Sequence, residues 1–163
     1  FTMTGKRSAE VYLLFGATGW IGGMLKGLLE KDKKTVIAAQ SRIEDRAEVE
    51  KELDAVKPTR VLLAAGLTGR PNVDWCESHR EETVRVNVMG TLSVADLCTA
   101  RSIHVTIFAT GCIYHYDDDH PIGGKGFTED DPPNFDGSFY SKTKAMVEEL
   151  LKCYSHALVL RVR

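Results

Sequence analysis

The sequence predicts an α/β fold, a doubly wound parallel sheet with helices on both faces. Three observations carry that prediction. Apolar runs of strand length recur without the alternation of a half-exposed strand, as strands buried on both faces require. Stretches with helical spacing separate these runs, so successive strands are joined by right-handed crossovers into a parallel sheet. Between the first apolar run and the first helix stands a glycine-rich turn, Gly16-Ala17-Thr18-Gly19-Trp20-Ile21-Gly22.

The elements follow in order. Residues 1–9 are polar and read as a flexible or appended N-terminal segment, with a single domain over 10–163. Val11-Tyr12-Leu13-Leu14-Phe15 is the first strand, and a helix runs from Trp20 to Lys31. Thr35 to Ala39 is the second strand; Asp45 is placed to cap a helix over Arg46 to Val56, with Pro58 as its stop. Arg60 to Ala65 is the third strand, ended by Gly66. A long helical stretch covers about Asp74 to Ala100 with an irregular start near Trp75, and His104 to Ala109 is the fourth strand. From His115 to Ser138 the chain turns to Gly, Pro, Asp and Asn, and a loop this long in a compact domain is usually functional. The helix bearing Tyr140 and Lys144 extends to about Cys153, before a last strand over Leu158 to Val162.

At 163 residues and 43% hydrophobic content the chain supplies one core. A formal net charge of −2 and the lack of a Lys/Arg block argue against nucleic-acid partners, since phosphate neutralisation needs a basic surface. No apolar stretch reaches the length of a membrane span, so a cytoplasmic, soluble protein is expected. Cys76, Cys98, Cys112 and Cys153 form no C-x-x-C pair and have no His at ligand spacing, which predicts neither a metal site nor a disulfide scaffold.

The glycine turn fits a dinucleotide pyrophosphate: unpaired N–H groups at a helix N-terminus favour an anion, and glycine lets it approach the backbone. Gly16, Thr18, Gly19, Trp20, Ile21 and Gly22 are therefore the candidate phosphate-binding residues, although the spacing is G-x-x-G-x-x-G rather than G-x-G-x-x-G. After the second strand, where an acidic residue would bond the ribose of NAD, the chain has Gln40-Ser41-Arg42. Arg42 could pair with a 2′-phosphate, with no carboxylate to repel it, which favours NADPH and leaves NADH possible; a plain surface arginine is the rival reading. Ala64, Ala65 and Gly66 end the third strand where the backbone would pass the cofactor. Tyr140 and Lys144, four residues apart on a helix, share a face. A nearby ammonium would lower the phenol's pKa and suit Tyr140 to proton transfer.

Taken in order, Gly16-x-x-Gly19-x-x-Gly22, Ala64-Ala65-Gly66, Asn87-Val88-Met89-Gly90-Thr91, Thr110 four residues before Tyr114, and Tyr140-x-x-x-Lys144 resemble the extended short-chain dehydrogenase/reductases, in the nucleotide-sugar modifying branch of the Rossmann-type folds. The resemblance implies that Thr110 and Tyr140 share a substrate carbonyl and that Asn87 supports the helix and water chain behind Lys144. Dehydratases of this family carry acidic residues after the catalytic Thr. Here Gly111-Cys112 stands instead, and the thiol resembles the epimerase acid/base of the branch. Gly69 to His79 and Pro133 to Lys144 strengthen the likeness to its epimerase/reductases. Arg70, Asn72, Trp75, Thr110 and Ser138 become candidates for the sugar side, with packing as an equal reading of Trp75.

The implied function is an NADPH-dependent 3,5-epimerase/4-reductase that turns a nucleotide 4-keto-6-deoxyglucose into nucleotide-L-rhamnose. The alternative is a non-catalytic dinucleotide-binding subunit similar to the regulatory subunit of methionine adenosyltransferase. Family members run to roughly twice this length, so the C-terminal substrate lobe is expected to be absent here. A homodimer through the long helices is a further expectation.

Overall fold

The computed structural model describes residues 10–162; the expectation for residues 1–9 lies outside them. Five parallel strands, β1 (Val11–Phe15), β2 (Thr35–Ala38), β3 (Arg60–Leu63), β4 (His104–Thr110) and β5 (Ala157–Val162), form one sheet in the order β2-β1-β3-β4-β5. The path steps from β1 outward to β2, then returns across β1 to β3. The switch point thus falls between β1 and β3, whose C-terminal ends carry the glycine turn and Ala64 to Gly66. A crevice outside the strand ends at such a reversal is where α/β sheets bind ligands.

Alternation along the strands sorts the two faces. Leu13, Phe15, Val61, Leu63, Val105 and Ile107 point into the main core, against Val49 and Leu53 of α2 (Arg46–Val56), Val94 and Leu97 of α5 (Thr91–Ala100), and Val147 and Leu151 of α6 (Phe139–Leu151). On the other face α1 (Trp20–Lys31) packs over β1 and β2. Phe108, Leu158 and Leu160 lie on that face beyond α1, and both leucines are exposed.

Local chemistry sets the boundaries. Asp45 caps α2 by accepting from the Glu48 N–H at 3.2 Å, and Lys57, at φ 49°, closes it ahead of Pro58. β3 is shorter than expected. Its ladder partner β1 ends at Phe15, and the chain turns away at Gly16 (φ +82°), leaving the Ala64 N–H to Phe15 O bond as the last rung. The long helical stretch starts irregularly near Trp75 as expected, but it is further divided, into α3 (Trp75–Ser78), α4 (Arg80–Thr83), a π-helical segment Val84–Gly90 and α5. No helix among the described residues is long and apolar enough to cross a membrane.

Candidate active site

The glycine turn is built by backbone contact. A Cβ on Gly22 would stand 2.0 Å from Gly16 O, and one on Gly16 would stand 2.6 Å from Ala65 N, so helix start, turn and β3 end close on one another. Gly19 opens α1 with no side-chain cap, and the first turn holds no acidic residue. Uncapped N–H groups without a neighbouring carboxylate fit a pyrophosphate.

Beside this turn lies a cavity of about 490 Å³ that brings together Trp20 and Ile21, Ala64 to Gly66, Thr110, Tyr140 and Lys144. Residues as far apart in sequence as Trp20 and Lys144 thus face one space. A larger cavity, about 830 Å³, opens between the long loop and β5 and touches neither Tyr140 nor Lys144.

Tyr140 is buried among apolar groups, which pushes its phenol up to about 12; the nearby Cys112 and Cys76 thiols act in the same direction, and a hydrogen bond with Thr110 acts against it. Lys144 is buried too. Desolvation lowers its pKa, partly offset by the Glu148 carboxylate one turn further along α6. The expected lowering of the phenol by the ammonium is therefore not what this structure has: burial dominates at both groups.

Cys112 is exposed on the short turn Gly111–Ile113 that follows β4. Its N–H donates to Thr110 Oγ1 at 3.1 Å, and its carbonyl accepts from Ser141 Oγ at 2.8 Å, so the turn is tied to α6 beside Tyr140. Sequence reasoning missed the second tie at this place. The Phe139 N–H, at the first position of α6, donates to Glu77 Oε1 at 2.6 Å, and Arg80 pairs with Glu77 while lying over the Phe139 ring.

Three of the expected site residues have partners within the fold. Ser138 caps α6: its Oγ accepts from Ser141 N–H at 3.1 Å and donates to Ser141 Oγ at 2.9 Å, which commits the hydroxyl to the helix rather than to a sugar. Asn87 is fully buried and spends its amide on Leu67, accepting from its N–H and donating to its carbonyl, both at 2.7 Å. It clamps the segment after β3. Near Arg42 there are carboxylates after all. Glu44 Oε1 accepts from Arg42 Nε at 2.5 Å, and Glu52 accepts from the Ser41 and Gln40 N–H groups.

The structure leaves Arg42, Arg70, Asn72 and Trp75 outside the cavity of Tyr140. Trp75 stacks on His79 with centroids 3.6 Å apart and covers Gly69, which is packing. Asn72 Oδ1 accepts from the Asp74 N–H at 2.9 Å in a local turn, and Arg70 is exposed. Thr18 and Gly19 are exposed at the mouth of the turn.

A family model described as "NAD dependent epimerase/dehydratase family" matches residues 12–162. A bifunctional dTDP-4-dehydrorhamnose 3,5-epimerase/dTDP-4-dehydrorhamnose reductase of Arabidopsis thaliana is 55% identical over 153 residues, covering 93% of this chain and 51% of its own. The trifunctional UDP-glucose 4,6-dehydratase/UDP-4-keto-6-deoxy-D-glucose 3,5-epimerase/UDP-4-keto-L-rhamnose-reductase RHM2 of the same plant is also 55% identical, with 98% of this chain matching 24% of the relative. The crystal structure of the L780 UDP-rhamnose synthase from Acanthamoeba polyphaga mimivirus superposes with a TM-score of 0.87 at 38% identity, covering 96% of this chain and 56% of that one. The chain thus spans about a quarter to a half of the curated relatives it matches.

Proposed function

Because the chain belongs to the NAD dependent epimerase/dehydratase family, we propose that it forms the dinucleotide-binding part of an epimerase/reductase acting on a nucleotide 4-keto-6-deoxyglucose and yielding nucleotide-L-rhamnose. One observation carries the reading. Thr110, Tyr140 and Lys144 line a single cavity with the start of α1, and Cys112 stands next to Tyr140.

Gly16 to Gly22 would hold the pyrophosphate, with Ala64 to Gly66 beside it. When bound there, the reduced nicotinamide of NADPH or NADH would supply a hydride to the 4-keto carbon. Thr110 and Tyr140 hold the ketone oxygen by hydrogen bonds. A ketone acidifies the hydrogens on its neighbouring carbons, so deprotonated Cys112 can take one, with the enolate charge resting on the oxygen that the two hydroxyls grip. Return of a proton on the opposite face inverts the centre. During reduction Tyr140 gives its proton to the same oxygen. Its high pKa keeps it protonated until that moment, and the Lys144 ammonium, one turn away on α6, would return a proton to the phenolate and regain its own from solvent.

Dehydration fits less well. It needs a carboxylate acid/base after Thr110, where the chain has Gly111 and Cys112, and the bifunctional relative carries only epimerase and reductase in its name. The regulatory-subunit alternative is not favoured, since the relatives reported above are enzymes by name. Exposed Met146 and Leu150 on α6 support pairing of two copies through that helix.

The test places residues 12–162 in the matching stretch of the bifunctional relative and supplies UDP-4-keto-6-deoxyglucose in deuterated water. Deuterium uptake is expected without NADPH and is lost in Cys112→Ala. Uptake at an unchanged rate in that variant would remove Cys112 from the chemistry.

A further inference from the structure

The carboxylate of Glu52 sits where an anion would be bound. The Ala39 N–H donates to Leu14 O at 2.9 Å, so the chain leaving β2 runs beside the end of β1 and the start of the glycine turn. There Glu52, reaching over from α2, accepts from the Gln40 N–H at 2.8 Å, the Ser41 N–H at 3.0 Å and Ser41 Oγ at 2.5 Å. Two successive backbone N–H groups and a hydroxyl converging on one anion are the equipment of a phosphate site. Here the protein fills it with its own charge.

Resting on the reading of Gly16 to Gly22 as a dinucleotide loop, we propose that Glu52 sets the balance between NADPH and NADH by occupying the donors that a 2′-phosphate would otherwise take. Burial alone would raise the Glu52 pKa, but the bonds from Ser41 and Gln40 outweigh it and hold the carboxyl below the usual range. It is ionised at neutral pH and repels a phosphate that brings up to two further negative charges. A ribose 2′-hydroxyl meets no such repulsion and can donate to the carboxylate. Arg42 pulls the other way, but weakly: its side chain is 76% exposed and already engaged with Glu44. Lys51, the other cation lining this depression, is paired with Glu48 at 2.5 Å. Carboxylate and guanidinium thus oppose each other, and the chain accepts both dinucleotides with modest discrimination.

Titrating NADPH and NADH into the chain and following nucleotide fluorescence tests this without a sugar substrate. Glu52→Gln removes the charge and turns one of the two acceptor oxygens into an NH2 group, so that Gln40 or Ser41 loses its partner; it is expected to tighten NADPH by about tenfold while leaving NADH within about threefold. Retained NADH binding shows that the variant is folded. Glu48→Gln removes a charge from the same depression without touching the donors but also frees Lys51, so it should shift the ratio less than Glu52→Gln does. An unchanged NADPH/NADH ratio in Glu52→Gln, or an equal shift in Glu48→Gln, would overturn the role of Glu52 alone. A parent chain that binds neither nucleotide would remove the dinucleotide reading and this role with it.

Discussion

Lys144 and Tyr140 place two ionisable groups on the buried face of α6, and each bears its cost in a different pH range. The Lys144 pKa is lowered on folding, so its protonated form destabilises the fold at neutral pH; that penalty fades as pH rises toward the unfolded value of about 10.4. Lys144→Met should therefore raise the thermal midpoint at pH 7 by roughly 2–4 °C, about 1 kcal/mol, while abolishing reductase activity, and the gain should shrink above pH 10. Tyr140 is the reverse case. Its phenol is raised to about 12, so its contribution to stability is intact below about pH 10 and is lost as pH climbs through about 12. Denaturation at alkaline pH should affect the parent more than Tyr140→Phe. The pair itself was legible from its four-residue spacing, but its electrostatics were not. Spacing says that two side chains share a face, and only tertiary packing says that the face is dry.

At the scale of elements, the start of α6 is where the site is aimed. Ser138 caps it from the position just before the helix, and Glu77 caps it from 62 positions upstream of Phe139 in sequence. Glu77→Ala should lower the unfolding midpoint, as loss of a helix cap does, and should slow reduction through misplacement of Tyr140. Glu77→Gln keeps an acceptor and should recover most of both; urea unfolding and initial rates read the two effects. No sequence signal marks that carboxylate, which looks like any exposed glutamate until the chain folds. The glycine turn was legible for the opposite reason. Its glycines answer a backbone demand within seven residues, and Gly22→Ala, with its Cβ 2.0 Å from Gly16 O, should destabilise by about 1–3 kcal/mol and abolish nucleotide binding. The Glu52 contact could not be read because α2 shows its carboxylate to the end of β2 only once the sheet exists.

Across the whole molecule, the sheet puts the ends of β1, β3 and β4 at one crevice, while the long loop packs at the β5 edge. Arg161 secures that loop. It pairs with the buried Glu148, donates to the Thr128 carbonyl at 3.0 Å and lies over the Tyr114 ring. Arg161→Ala leaves Glu148 buried without its cation, which should cost about 3–5 kcal/mol and expose residues 115–138 to protease cleavage in a timed digest. Parallel strands and crossovers followed from the apolar runs, whereas the strand order did not, because the return of the chain across β1 is a matter of helix packing. That order is what brings Tyr140 beside the glycine turn. The direct test of this arrangement is hydride transfer, measured by NMR in the chimera carrying residues 12–162, with NADPH deuterated at the transferable position and the 4-keto sugar as acceptor. The account predicts one deuterium at carbon 4 of the product and none when Tyr140 is changed to Phe; label arriving at the same rate in Tyr140→Phe would contradict it.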